Sequence, residues 1–153
     1  MIISEHLSLS ELIRSDSAKR LGVTNMPTPE HIINLKALAE NIFEPIRAHF
    51  RCPIYISSGY RSAELNKALL GAKTSQHLKG EAIDIDMDGS SNGVTNAMVY
   101  EFIKSKLDFD QLIWEFGTEN APDWVHVSYN KGVNRKQILR AIKSNGKTIY
   151  KPF

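Results

Sequence analysis

The chain has 153 residues, with 42% hydrophobic and 24% charged residues, which suits one soluble globular domain with a hydrophobic core. A formal net charge of +2 is too small to favour nucleic-acid binding by electrostatics, and the single cysteine excludes an internal disulfide. No apolar run approaches the ~20 residues of a membrane-spanning helix, so we expect no membrane insertion.

The N-terminal third is predicted to be helical. Ser8 and Glu11 form a capping-box pattern, and Thr28 followed by Pro29 is a strong helix start, because proline suits the first helical position. Apolar residues then recur at three- and four-residue intervals, and Pro45 is expected to bend or break this helix. The predicted helices are a short one from Ser8, a second over 15–21 and a long one over 28–49.

The rest of the chain is dominated by predicted strands. The predicted strands cover residues 53–57, 81–87, 111–116 and 124–129, and the predicted helices cover 62–70 and 94–107. An Asn-Gly pair at 145–146 predicts a C-terminal hairpin over 137–150. This order predicts an α+β fold in which N-terminal helices pack on a mostly antiparallel sheet, as a single domain over 1–153.

Two histidines and an aspartate stand out as candidate metal ligands. His77 and Asp84 flank a turn that contains Gly80, and His126 lies on another predicted strand. Strand alternation puts Asp84 and Asp86 on one face, away from the core. Taken singly, these residues could be a solvated strand edge and a packed histidine. Together, two histidines and one carboxylate are a usual protein ligand set for catalytic zinc, with one position left to water.

The stretch that contains these residues resembles a known family signature. Residues 75–84 match the S-x-H-x-x-G-x-A-x-D motif of the D-alanyl-D-alanine carboxypeptidase family of zinc peptidases. The Trp-Val-His at 124–126 is similar to the family's second histidine motif, and 58–62 resembles its S-G-Y-R-S element. The family also includes L-alanyl-D-glutamate endopeptidases, and both kinds cut peptidoglycan peptides. The resemblance covers most of the chain and implies a hedgehog/D-Ala-D-Ala peptidase-like fold.

The resemblance implies that His77, Asp84 and His126 bind one Zn²⁺. Such an ion polarises the scissile carbonyl and lowers the pKa of a bound water to about 7. Co²⁺ or Mn²⁺ would fit similar ligands, so the native metal stays open.

Two acids are candidates for the general base that peptide hydrolysis requires. Asp123 lies three residues before His126, as the base does in several family members, and it is the preferred candidate. Many bases of the family are glutamate, and an aspartate is shorter. Glu115, on the preceding strand, reaches the site only if the strands pair in the right register.

Three further residues are candidates for substrate contact. The resemblance implies that Arg61 holds the substrate or the developing oxyanion, as a planar permanent cation can. Ser75 and Gln76 flank the first histidine and could hydrogen-bond to the substrate or to the ligands.

The expected function is a zinc metallopeptidase that hydrolyses peptidoglycan stem peptides, as a carboxypeptidase or an endopeptidase. The alternative is a non-catalytic module of the same fold that binds cell-wall peptide, and a weaker third is a hedgehog-type signalling domain. The expected partner is the peptidoglycan peptide, and the chain is expected to act as a monomer.

The N-terminus lacks the basic segment and apolar run of a secretory signal. We therefore expect synthesis in the cytoplasm without a signal peptide. Action on the cell wall would follow release, as for a phage endolysin, or export by another route. A cytoplasmic role in wall-peptide recycling stays open.

Overall fold

The fold is built on a six-stranded sheet with helices against one of its faces. The computed structural model describes residues 1–153. The strands are β1 (Ile2–Ser4), β2 (Leu7–Ser8), β3 (Ile56–Ser58), β4 (Ala82–Ile85), β5 (Gln111–Glu115), β6 (Trp124–Ser128), β7 (Gln137–Ser144) and β8 (Lys147–Pro152). The α-helices are α1 (Leu9–Ile13), α2 (Asp16–Leu21), α3 (Pro29–Leu38), α4 (Glu44–Phe50), α5 (Ala63–Ala68) and α6 (Asn96–Lys106). None of these helices has the length and apolar character needed to cross a lipid bilayer.

The sheet is mostly antiparallel, as predicted. Its strand order is β3-β4-β6-β5-β7-β8, and only the β5–β7 pair is parallel. Together with the helices that cover one face, this confirms the α+β expectation. β1 and β2 form a separate two-stranded ribbon that the sequence pattern did not predict.

Strand alternation gives the sheet two chemically different faces. Ile83 and Ile85 of β4, with Val125 and Val127 of β6, belong to the hydrophobic core that the helices cover. The residues between them point to the opposite face, which we call the polar face. This division places the two predicted metal ligands of β4 and β6 outside the hydrophobic core.

The predicted long helix is continuous but changes its hydrogen-bonding pattern before Pro45. A π-helical turn over Ala39–Phe43 joins α3 to α4. Proline has no N–H to donate, and its ring clashes with the carbonyl four residues earlier. The wider π turn accommodates both effects and keeps the apolar stripe on the core.

Strand β4 is shorter than predicted. It ends at Ile85, and Asp86 accepts a hydrogen bond from Asn96 Nδ2 at 3.1 Å instead of lying beside Asp84. The C-terminal hairpin forms as predicted, with Asn145 and Gly146 at φ 50° and 77° in its turn.

A salt bridge holds the segment that leads into β7. Arg135 donates to the buried carboxylate of Asp110 from Nε at 3.0 Å and from Nη2 at 2.8 Å. These hydrogen bonds lower the pKa of Asp110. The next residue, Lys136, lies 4.0 Å from Asp108, and both of these side chains are exposed.

Replacing Arg135 by Gln should lower the free energy of unfolding by about 1–3 kcal/mol, because it leaves a buried carboxylate without its charged donor. The matched change Lys136→Gln should cost less than about 0.5 kcal/mol, since it removes only an exposed ion pair. Urea unfolding at pH 7 measures both values. Equal effects of the two substitutions would contradict the structural role of the Asp110 pair.

Candidate metal centre

Three side chains converge on the polar face, and we call them the His-Asp-His cluster: His77, Asp84 and His126. His77 Nε2 lies 3.3 Å and His126 Nδ1 lies 2.9 Å from Asp84 Oδ1. All three side chains are buried, and their candidate ligand atoms lie within 4.8 Å of one another. The antiparallel register pairs Asp84 directly with His126, which fixes two of the three positions by backbone hydrogen bonding.

The cluster fits a tetrahedral zinc ion. Zinc bonds of about 2.0–2.2 Å place neighbouring ligand atoms roughly 3.3–3.5 Å apart. The separation between His77 Nε2 and Asp84 Oδ1 has this value, and the one that involves His126 is a few tenths of an ångström shorter. Two imidazole nitrogens and one carboxylate oxygen suit this borderline ion and leave one position free.

The third position, His77, is held by local structure. It lies in a 3₁₀ turn over Gln76–Lys79 that Ser75 caps with its hydroxyl. The turn ends at Gly80, whose φ of 75° favours glycine. His77 Nδ1 lies 2.6 Å from the Gly59 carbonyl oxygen, so Nδ1 carries the proton and donates it. Nε2 is therefore the nitrogen that faces Asp84: protonated, it donates to the carboxylate, and deprotonated, it supplies the lone pair that a metal ligand requires.

The charges around Asp84 favour its ionised form. Burial alone would raise the pKa of this carboxyl, but the attraction of His77 and the hydrogen bonds from both cluster histidines hold it well below its ordinary value. The carboxylate is therefore ready to bind a cation across the working pH range.

Arg61 lies at the edge of the cluster. Its Nη2 atom is 3.8 Å from Asp84 Oδ2, and its Nε donates to Ser58 Oγ at 3.3 Å. Its backbone N–H also donates to the His77 carbonyl at 3.1 Å, which ties the two segments together. A guanidinium held in this way can bind a substrate oxygen beside the cluster.

The two candidate bases lie in different surroundings. Glu115 pairs with Trp124 in the β5–β6 register, so it shares the polar face with His126, and it is 7% exposed. Burial is the main cause that raises its pKa to about 7, with His126 and Arg61 opposing the shift and Asp84 adding to it. Asp123 is exposed and contributes its charge to the surroundings of Asp88. The geometry therefore favours Glu115, whereas the sequence pattern favours Asp123.

The two residues that flank the first histidine have structural contacts. Ser75 Oγ accepts from the His77 backbone N–H at 3.3 Å. The side chain of Gln76 acts on the Asp110 carboxyl and helps to lower its pKa. Their predicted role in binding the substrate remains a prediction.

Sequence reasoning missed Tyr150, which lies on the same face. The Glu115–Ala141 and Ala141–Tyr150 pairings place it two strands away from Glu115. Burial raises the pKa of Tyr150, and the charges of Glu115 and Asp84 add to the shift while Arg61 opposes it. The sequence does not indicate this position, because nothing in the pattern shows which strand the C-terminal hairpin joins.

Comparison with known proteins gives one family. A family model described as Peptidase M15 matches residues 5–128, a range that contains the whole His-Asp-His cluster together with Arg61, Glu115 and Asp123. No curated protein matches the chain.

Replacing Gly59 by Ala should weaken zinc binding. A methyl group there would lie 2.4 Å from the Leu12 carbonyl oxygen, so the backbone that holds His77 must shift. We expect a loss of about 10- to 100-fold in zinc affinity, the usual effect of disturbing a ligand's hydrogen-bond partner. Competition with a chromogenic chelator measures the affinity. Gly132→Ala, which meets only Asn130 Oδ1 at 3.3 Å, is the control and should bind like the wild type.

The Glu115 carboxyl should titrate near pH 7 in protein stripped of metal by a chelator. Burial favours its neutral form, so the carboxylate appears only as the pH rises through about 7. Adding zinc should lower this pKa, because a nearby cation stabilises the carboxylate. Carboxyl ¹³C NMR, assigned with Glu115→Gln, measures both values. A pKa near the ordinary 4.5 in the stripped protein would show that Glu115 is solvated.

Proposed function

The chain belongs to the peptidase M15 family, a family of the zinc D-Ala-D-Ala carboxypeptidase type, and from this premise we propose that it is a zinc-dependent peptidase that hydrolyses peptidoglycan stem peptides. One observation carries the proposal: a buried His-Asp-His cluster with zinc-like spacing has a buried glutamate on the same sheet face. The metal ligands, the candidate base Glu115 and the guanidinium of Arg61 therefore lie within one small region.

The His-Asp-His cluster would hold the ion, and the neighbouring residues would perform the proton transfers. When bound, zinc would act as a Lewis acid that polarises the scissile carbonyl and lowers the pKa of a water molecule. Glu115 accepts the proton of the attacking water on its carboxylate and passes it to the nitrogen of the leaving amine. Burial gives this carboxylate a higher proton affinity than a solvated glutamate has, which favours the first transfer.

Arg61 binds an oxygen atom of the substrate. Its guanidinium lies beside Asp84 and is fixed by Ser58, so little side-chain entropy is lost when a substrate oxygen binds. The bound oxygen is either the carbonyl that gains negative charge or a terminal carboxylate of the peptide. These two assignments correspond to an endopeptidase and a carboxypeptidase, and both belong to the proposal.

The biological setting is part of the same proposal. A monomer of this kind acts on cell-wall peptide after release by phage lysis or after export by another route. The chemistry proposed for the cluster is the same in either case.

Glu115→Gln should lower the turnover of a synthetic stem pentapeptide by about 10²- to 10⁴-fold, the usual contribution of a general base. Asp123→Asn is the matched control and should stay within about 3-fold of the wild type, since its side chain lies outside the cluster. Mass spectrometry of the products, with zinc content measured for each variant, gives the result.

The reverse order of effects would make Asp123 the base. Wild-type activity in both variants would exclude a carboxylate base of this kind. Binding of the peptide by zinc-loaded wild-type protein without any cleavage would support the non-catalytic module instead. His77→Ala should lose both zinc and activity, and retained activity in that variant would overturn the proposal.

A further inference from the structure

The C-terminal hairpin, β7 and β8, lies beyond the residues that the family model matches, yet it extends the sheet next to the proposed base. β7 pairs in parallel with β5, and Ala141 is the register partner of Glu115. β8 pairs with β7, and Tyr150 is the register partner of Ala141. Register partners share a face, so this row of three residues lies on the polar face.

Ala141 lies between Glu115 and Tyr150 in the row, and its small side chain leaves space above it on the polar face. Ala141 is fully buried, so larger neighbouring side chains cover its methyl group. The Tyr150 ring can lean over it towards Glu115, and the charges of Glu115, Asp84 and Arg61 all act on the phenol. Tyr150 nevertheless remains 53% exposed as a residue.

The surface beside this row carries two aromatic rings and a lysine. Phe116 and Trp124 pack edge to face at 5.4 Å, and Trp124 is the register partner of Glu115. Lys143 of the hairpin lies 5.3 Å from the Phe116 ring centre and donates to Thr148 at 3.1 Å. The hairpin and the end of β5 therefore form one wall, with apolar rings and hydrogen-bond donors next to the cluster.

We propose that this wall is the substrate-binding surface on the Glu115 side, and that the Tyr150 hydroxyl donates a hydrogen bond to a backbone carbonyl oxygen of the peptide next to the scissile bond. The Tyr150 hydroxyl has no hydrogen-bond partner within the protein, so it is free to donate to a ligand. The inference rests on the proposed function for the identity of the peptide, and it makes the hairpin a specificity-determining element of this chain.

The test removes the hydroxyl and keeps the ring. Tyr150→Phe should lower kcat/KM for the stem pentapeptide by about 5- to 10-fold, the effect expected for one neutral hydrogen bond. Zinc affinity and melting temperature should not change, since neither the cluster nor the core loses a contact. Tyr129→Phe removes the same hydroxyl from a ring packed against the core, and it should leave kcat/KM unchanged.

A binding measurement separates this inference from the proposed function. The full chain carrying Glu115→Gln should bind the uncleaved pentapeptide, and adding Tyr150→Phe should raise the calorimetric Kd by about 5- to 10-fold. Turnover by the wild type with no effect of Tyr150→Phe would overturn the inference alone. A Kd that depends on Tyr150 without turnover by the wild type would overturn the peptidase proposal alone. Neither turnover nor binding would overturn both.

Discussion

The structure of the site depends on a single buried carboxylate placed between two imidazoles. Asp84 is expensive to bury as a charge, and it is stable there because both cluster histidines lie within hydrogen-bonding or ion-pair distance. The register of β4 and β6 sets the distance to His126, and a 3₁₀ turn sets the distance to His77. A shift of either element that separates Asp84 from an imidazole leaves a buried charge without its partner, which is costly.

The support for the cluster reaches back to the N-terminal helices. The Leu12 carbonyl at the end of α1 accepts from the Tyr60 backbone N–H at 2.8 Å, and Gly59 packs against the same carbonyl. The Gly59 carbonyl in turn orients the His77 ring. Helix α1 therefore positions a candidate metal ligand without contributing one, and this explains in physical terms why the turn before Arg61 contains a glycine. Only a residue without a side chain can approach the helix backbone so closely.

Sequence reasoning found the parts of the site that depend on local pattern. The alternation of β4 correctly separated Asp84 from the core isoleucines, and the Asn-Gly pair correctly located the C-terminal hairpin. It preferred Asp123 to Glu115, and the position of Glu115 depends on a pairing register between distant strands that the sequence does not fix. It also gave no indication of Tyr150, which reaches the polar face through the parallel β5–β7 pairing. Such pairing leaves little trace in a single sequence.

We propose that the His-Asp-His cluster binds zinc for the hydrolysis of peptidoglycan. Digestion of purified peptidoglycan by the full chain tests this: untreated, after chelation, and after chelation followed by added zinc, with mass analysis of the products. We expect cleavage products that disappear with the chelator and return with zinc, and their masses identify the bond that is cut. Products that persist when the protein contains no metal, or no products from protein with one bound zinc, would contradict the proposal.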